Sequence, residues 1–224
     1  MSDQIEYKDP KYQGGETYVS VPAPVANPGP LGLSAFAMTT FVLSLFNVGA
    51  GVPSGGPVGV VTGLAVFYGG LTQMLAGMWE FKVGNNFGAT AFTSYGAFWL
   101  SYAAILIPGF AVVPGYTAEG VDPHALDNAL GIFLISWGIF TFILWIATLR
   151  SSIALSSMFF TLTLTFLFLA SGHLAHMAAG NYPTKIGGAL GIITALLAWY
   201  NAAAGLYVPK HTFVKLPVGP LDRQ

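Results

Sequence analysis

The sequence predicts an all-α integral membrane protein in which six transmembrane helices form a compact bundle. Three observations predict this class. Only 8% of the 224 residues are Asp, Glu, Lys or Arg, against roughly 25% in soluble domains. Hydrophobic residues make up 54% of the chain, and its mean hydropathy is +0.65. The few charges are also grouped, so that long stretches between them contain no acidic or basic residue.

These charge-free stretches place the helices. A helix needs about 20 apolar residues to cross a bilayer. Stretches without charge run over residues 17–79, 83–118, 128–149, 151–184 and 186–209. The first is long enough for two helices, and the turn-rich segment AGVPSGGP (50–57) divides it. We therefore predict helices over residues 31–50, 57–79, 87–110, 127–149, 153–178 and 186–208.

The six spans define a membrane domain over residues 27–208, with a flexible polar N-terminal tail (1–26) and a short C-terminal tail (209–224). We predict that both tails are cytoplasmic, because only Lys185 of the eight basic residues then lies outside. The N-terminal tail lacks the early apolar core of a signal peptide. No cysteine is present, and the net charge of −1 argues against a nucleic-acid partner.

Polar side chains inside the predicted spans are costly unless they have partners, so they mark candidate sites. The candidates for a polar path are Thr39, Asn47, Gln73, Thr93, Thr161 and Thr165. A Ser or Thr hydroxyl in a membrane helix often donates only to the carbonyl four residues earlier, which is the alternative for each threonine. The two amides have no such local outlet. We expect them either to line a cavity or to bond to another helix.

The segment NPGPLGL (27–33) precedes the first span. Each proline favours an extended conformation in the residue before it, and Pro30 can occupy the first helical position. A helix N-terminus carries partial positive charge and free N–H groups, which suit a carboxylate. Asn27 is therefore predicted either to cap a rigid entry turn or to contribute to a station for a carboxylate on the path.

Four segments of this chain resemble the acetate uptake transporter family, which has a bacterial succinate–acetate permease type and a fungal acetate and ammonia-related branch. They are NPGPLGLSAFAMTT, FNVG, FYGGLTQMLAGMWEFKVGNNFGATAFTSYGAFWLSYA and GIFLISWGIFTFILWIATLR. The resemblance extends over residues 27–207, although Gly29 replaces the alanine that is usual in the first motif. It implies a six-helix subunit in a homo-hexamer with a path in each subunit. It also implies an apolar–aromatic constriction at Phe36, Tyr95 and Leu162.

The resemblance implies transport of acetate and similar short monocarboxylates, coupled to protons, across the plasma membrane. It implies neither an enzyme nor a cofactor. The neutral hydroxyls and amides of the candidate path are consistent with this function, because a neutral acid enters hydrocarbon at far lower cost than a carboxylate. Glu80 is the candidate for proton coupling, and its alternative is an exposed pair with Lys82. Three other functions remain open: an acetate anion channel, ammonium or ammonia export, and a membrane sensor that transports nothing.

His173 and His176 raise the possibility of a haem or metal enzyme, since they lie three residues apart near the end of the fifth span. Two histidines without cysteine or nearby carboxylates make a poor metal site. We therefore predict no metal at this position.

Overall fold

The computed structural model describes residues 4–8, 18–22, 25–177, 180–209 and 212–221. Its long helices are α1 (Gly29–Val48), α2 (Gly59–Lys82), α3 (Asn86–Leu106), α4 (Ala125–Thr148), α5 (Ile153–Leu174) and α6 (Tyr182–Leu206). All except α3 are long and apolar enough to cross a membrane. The described part of the chain therefore holds the six predicted long helices, and five of them are candidate membrane spans.

Helix α3 contributes aromatic side chains to the core of the bundle. Its buried residues include Tyr95, Phe98 and Trp99. Around it, α1 packs against α6, α6 against α5, and α5 against α4, while α2 packs against α3. Glycines allow these close approaches: a Cβ on Gly96 of α3 would lie 2.7 Å from the Cβ of Met74 on α2.

Three helix ends lie four residues from their predicted positions, and local chemistry explains each. Helix α3 ends at Leu106 rather than 110, because Ile107 is extended before Pro108. Helix α5 ends at Leu174 rather than 178, and His176 follows with a left-handed φ of 52°. Helix α6 begins at Tyr182, since the Asn181 side chain accepts a hydrogen bond from the backbone N–H of Thr184 at 2.9 Å.

The entry to α1 also differs from its prediction by one residue. Gly29 is the first helical residue, Pro30 is the second, and Pro28 takes the cap position. Asn27 lies one residue further out, where its Oδ1 accepts a hydrogen bond from the Gly29 N–H at 3.0 Å. The asparagine thus satisfies the first free N–H of the helix without being the capping residue itself.

Helix α2 contains one turn of π-helix, Phe67–Thr72, in which the Thr72 hydroxyl donates to the Phe67 carbonyl at 3.0 Å. In a regular α-helix, the seven-residue spacing of Gly63, Gly70 and Gly77 would put all three on one face. Gly70 and Gly77 meet α3, whereas no atom of the described residues lies within 4 Å of a Cβ placed on Gly63. The π turn rotates the rest of the helix relative to the residues before it.

Both ends of the chain contain paired backbone that the sequence did not predict. In the N-terminal tail, β1 (Gln4–Lys8) pairs with β2 (Tyr18–Pro22) in antiparallel register, with Gln4 opposite Pro22. Near the C-terminus, the carbonyl of Gly219 accepts a hydrogen bond from the N–H of Ile153 at 2.7 Å. This contact satisfies a free N–H at the start of α5.

Candidate functional site

Two cavities lie inside the bundle and meet at three side chains. The tail-side cavity, of about 170 Å³, is lined by residues near the N-termini of α1 and α3, including Asn27 and Glu80. The loop-side cavity, of about 230 Å³, opens towards the segment between α3 and α4. Phe36, Tyr95 and Leu162 line both cavities, and each is at most 5% exposed. We call these three residues the constriction.

The constriction is assembled from α1, α3 and α5, and its tyrosine is held from behind by α4. The rings of Phe36 and Tyr95 have centroids 5.7 Å apart. The Thr141 hydroxyl donates to the Trp137 carbonyl at 2.7 Å, so the Tyr95 hydroxyl is the donor in its 2.8 Å bond to Thr141 Oγ1. This chain of two hydrogen bonds fixes the orientation of the Tyr95 ring. Sequence reasoning missed Thr141, because nothing in the sequence says which α4 side chain faces α3.

Glu80 is a buried wall residue of the tail-side cavity. It is 2% exposed, and its Oε2 accepts a hydrogen bond from Asn85 Nδ2 at 2.8 Å. The Asn85 Oδ1 in turn accepts from the Gly88 N–H at 3.0 Å, which caps α3. The carboxyl group therefore lies beside a helix N-terminus, whose partial charge stabilises an anion. An exposed pair with Lys82 does not describe this residue.

Gln73 lines the tail-side cavity and is 1% exposed. Neither its Nε2 nor its Oε1 has a hydrogen-bond partner among the described residues. The same is true of the Thr40 hydroxyl on the loop side. Buried polar atoms in proteins nearly always have partners, so groups of this kind that face a cavity indicate a place where a polar molecule binds.

The loop-side cavity carries a polar face of α1. Thr40, Ser44 and Asn47 line it, and together with Phe36 they recur every three or four residues. Thr165 of α5 lies in the same wall, although its hydroxyl also donates to the Thr161 carbonyl at 2.9 Å. Thr40 and Ser44 are not among the predicted site residues. Their helical spacing from Phe36 and Asn47 is a signal that could have found them.

Three predicted path residues, Thr39, Thr93 and Thr161, line neither cavity. The Thr39 hydroxyl donates to the Ala35 carbonyl at 2.9 Å, and Thr161 donates to the Ser157 carbonyl at 3.0 Å. Thr93 packs against Gly77 of α2. The alternative of a bond to the helix's own backbone therefore describes Thr39 and Thr161.

The histidines at the end of α5 have partners on α4. His173 Nδ1 lies 2.9 Å from Asp127 Oδ1, and His176 Nε2 lies 3.0 Å from Asn128 Oδ1. The His176 ring also lies against His124, with centroids 4.1 Å apart. His173 lines the loop-side cavity, so these contacts tie α4 to α5 at its mouth.

The charge of the two cavities is unusual for a site that would bind an anion. Within the described part of the chain, neither cavity is lined by a lysine or an arginine. Glu80 adds a carboxyl group to one of them. The arrangement offers hydroxyls, amides and aromatic rings, which suit a small and mostly neutral molecule.

Comparison with known proteins gives one family. The sequence profile of the GPR1/FUN34/yaaH family matches residues 13–223. The chain is similar in structure to the protein described as "Structure of the bacterial acetate channel SatP", with a TM-score of 0.74 and 38% identity, over 88% of this chain and 100% of that one. The likeness establishes a multi-pass, all-α membrane protein.

Three relatives of known name are similar over most of the chain. Acetate permease A of Emericella nidulans is 48% identical over 92% of this chain and 71% of its own. Ammonia transport outward protein 2 of Saccharomyces cerevisiae is 46% identical over 86% of this chain and 67% of its own. The succinate-acetate/proton symporter SatP of Escherichia coli K12 is 38% identical over 87% of this chain and 96% of its own.

The hydrogen bond behind Tyr95 can be tested by a double-mutant cycle with Tyr95→Phe and Thr141→Val. We expect Tyr95→Phe to lower the free energy of unfolding by about 1 kcal/mol. Thr141→Val should cost more, up to about 3 kcal/mol, because it leaves the tyrosine hydroxyl buried without a partner. In the Tyr95→Phe background, Thr141→Val should lower the free energy of unfolding by clearly less than it does in the wild type. Reversible unfolding in mixed micelles gives the free energy of unfolding of the wild type, the two single variants and the double variant.

Thr163→Val is the matched control for that cycle. The Thr163 hydroxyl donates to the Phe159 carbonyl of its own helix at 2.9 Å and lines neither cavity. Its removal should change stability little. Strictly additive effects of the Tyr95 and Thr141 substitutions would show that the two hydroxyls are not coupled.

Proposed function

The chain belongs to the GPR1/FUN34/yaaH family, a family of transporters rather than enzymes, and we propose that it moves acetate and similar short monocarboxylates across the membrane together with protons. The observation that carries the proposal is the meeting of two cavities at Phe36, Tyr95 and Leu162. A path through each subunit would then run from one cavity to the other across this constriction.

The constriction favours a neutral acid over its anion. Its three side chains offer no charge, and no lysine or arginine lines the described walls on either side. A bare carboxylate would lose its hydration there with little compensation, whereas the undissociated acid loses far less. A carboxylic acid with a pKa of about 4–5 is mostly ionised at neutral pH. Each molecule that crosses as the acid therefore brings one proton with it.

The cavity walls provide weak polar stations before and after that step. On the loop side these are Thr40, Ser44, Asn47 and Thr165, and on the tail side they are Asn27 and Gln73. Neutral donors bind a small acid without trapping it, as rapid passage requires. Glu80 lies in the wall of the tail-side cavity, where it can accept the proton that the acid releases.

Two other functions are favoured by particular comparisons. A solved structure at 38% identity is described as an acetate channel, which favours passage of the anion. A relative at 46% identity is named for outward ammonia transport. Among the described residues that line the cavities, Glu80 is the one carboxylate, so a cation path would depend on a single site. We rank both functions below transport of the neutral acid.

We also propose a homo-hexamer in the plasma membrane, with both tails in the cytoplasm. Gly59 and Gly63 support an interface between subunits, since they lie four residues apart on α2 and no described atom approaches a Cβ placed on either. Small residues at this spacing allow membrane helices to pack closely. Val60, between them, is 73% exposed. Native mass spectrometry of the purified protein should give six subunits, and a monomer would contradict the assembly.

Uptake into liposomes tests the role of the constriction. We expect wild-type protein to take up labelled acetate faster than empty vesicles, with saturation and with stimulation by an inward proton gradient. Tyr95→Ala should enlarge the opening, so that the preference for acetate over propionate falls about tenfold, the usual worth of one methylene in a tight site. Initial rates for both acids give this ratio.

Tyr182→Ala is the control for that experiment, because it makes the same substitution at a tyrosine that is 82% exposed and lines neither cavity. It should leave the ratio unchanged. If wild-type protein moves acetate no faster than empty vesicles, the proposal fails, and labelled methylammonium tests the ammonia alternative in the same vesicles.

A further inference from the structure

The amide of Gln73 is a buried group that the fold leaves without a protein partner. It is 1% exposed, faces the tail-side cavity, and follows directly after the π turn of α2. Both its Nε2 and its Oε1 lack hydrogen-bond partners among the described residues. An amide in this position offers one donor and one acceptor, side by side, to a molecule in the cavity.

An undissociated carboxyl group is the complement of this pair. Its O–H can donate to Gln73 Oε1 while its C=O accepts from Gln73 Nε2, which closes a ring of two hydrogen bonds. A carboxylate has two acceptor oxygens and no donor. It could satisfy Nε2 but would place a negative oxygen against Oε1. The amide therefore distinguishes the acid from its anion by hydrogen-bond pattern as well as by charge.

The surroundings of Gln73 strengthen this discrimination. Glu80 and Tyr95 are the titratable side chains among the described residues that line the tail-side cavity, and a carboxylate ligand would share it with Glu80. At the two nearby helix N-termini, the Gly29 and Gly88 N–H groups already donate to Asn27 and Asn85. Among the described residues, no lysine or arginine lines this cavity to balance an anion.

The rest of the cavity suits the methyl end of a two-carbon molecule. Phe36, Met158, Phe159 and Leu162 provide apolar wall. The volume of about 170 Å³ exceeds the roughly 30 Å³ that one water occupies in the liquid. A suitable ligand has a polar head that faces the Gln73 amide with one donor and one acceptor. Its other end is short and apolar and contacts the apolar wall.

We propose, on the basis of the transport function above, that Gln73 binds the undissociated head group of the acid, and that the same site accepts small primary amides such as acetamide. A primary amide presents an N–H donor and a C=O acceptor at every pH, in the same arrangement as the acid. Acetamide is therefore a ligand of fixed charge that imitates acetic acid at neutral pH.

Wild-type protein in liposomes tests this without any substitution. Acetamide should inhibit the uptake of labelled acetate with the same inhibition constant at pH 6 and pH 7. The half-saturating total acetate should rise about tenfold over the same interval, as the fraction of undissociated acid falls. Vesicle swelling in acetamide measures its entry independently of the acetate assay, with empty vesicles as the background.

Gln73→Met separates recognition from structure. Methionine has similar length and lacks both hydrogen-bonding groups. Stability should not fall, since the amide has no partner to lose among the described residues. Acetate uptake should fall about tenfold through the loss of two hydrogen bonds, and inhibition by acetamide should disappear. Thr163→Val, whose hydroxyl lines neither cavity, should retain both properties.

The outcomes distinguish this inference from the transport function. If acetate enters but acetamide neither competes nor enters, the amide site is overturned and the transport function stands. Undiminished acetamide inhibition in Gln73→Met overturns the role of Gln73 and indicates that water fills this part of the cavity. If acetate does not enter at all, the transport function fails, while swelling in acetamide still decides whether the cavity accepts amides.

Discussion

The structure depends on one constraint: inside a bilayer every polar group must find its partner within the protein or in a cavity. The chain meets it largely through hydroxyls that donate to their own helix, as Thr39 and Thr161 do. The exceptions that line a cavity are informative. Thr40 and Trp99 on the loop side of the constriction and Gln73 on the tail side have polar atoms without partners among the described residues. Polar groups left open at these two places define a path for a molecule that carries its own donors and acceptors.

The constriction connects this constraint to selectivity. Its residues come from three helices, and a fourth helix fixes Tyr95 through Thr141. Aromatic and apolar side chains between the two cavities oppose the passage of a desolvated charge, because no charged group there replaces its water. On the tail side, Glu80 also opposes an anion, because its own carboxyl group lies beside the N-terminus of α3. The proposed proton coupling follows from which form of the acid can cross.

Much of the fold could be predicted from the sequence, because the spacing of charges reports directly on the length of membrane helices. Helix ends were less predictable, since the end of α3 depends on Pro108 and the start of α6 on the Asn181 cap. Within the candidate site, the sequence indicated residue types but not helix rotation. Thr39 and Thr40 are neighbours with the same side chain, yet only Thr40 lines a cavity. The constriction residues came from a family resemblance, and Thr141 required the packing of α4 against α3.

The most direct test of the central claim is the voltage dependence of acetate uptake. A potassium gradient with valinomycin sets the potential across liposomes at constant pH on each side, and empty vesicles give the background rate. A crossing charge would gain or lose about 2.3 kcal/mol per 100 mV. If the neutral acid crosses, the initial rate above background is the same at every voltage, and one proton enters with each acetate. A rate that follows the voltage, without proton entry, would contradict the account and identify an anion channel.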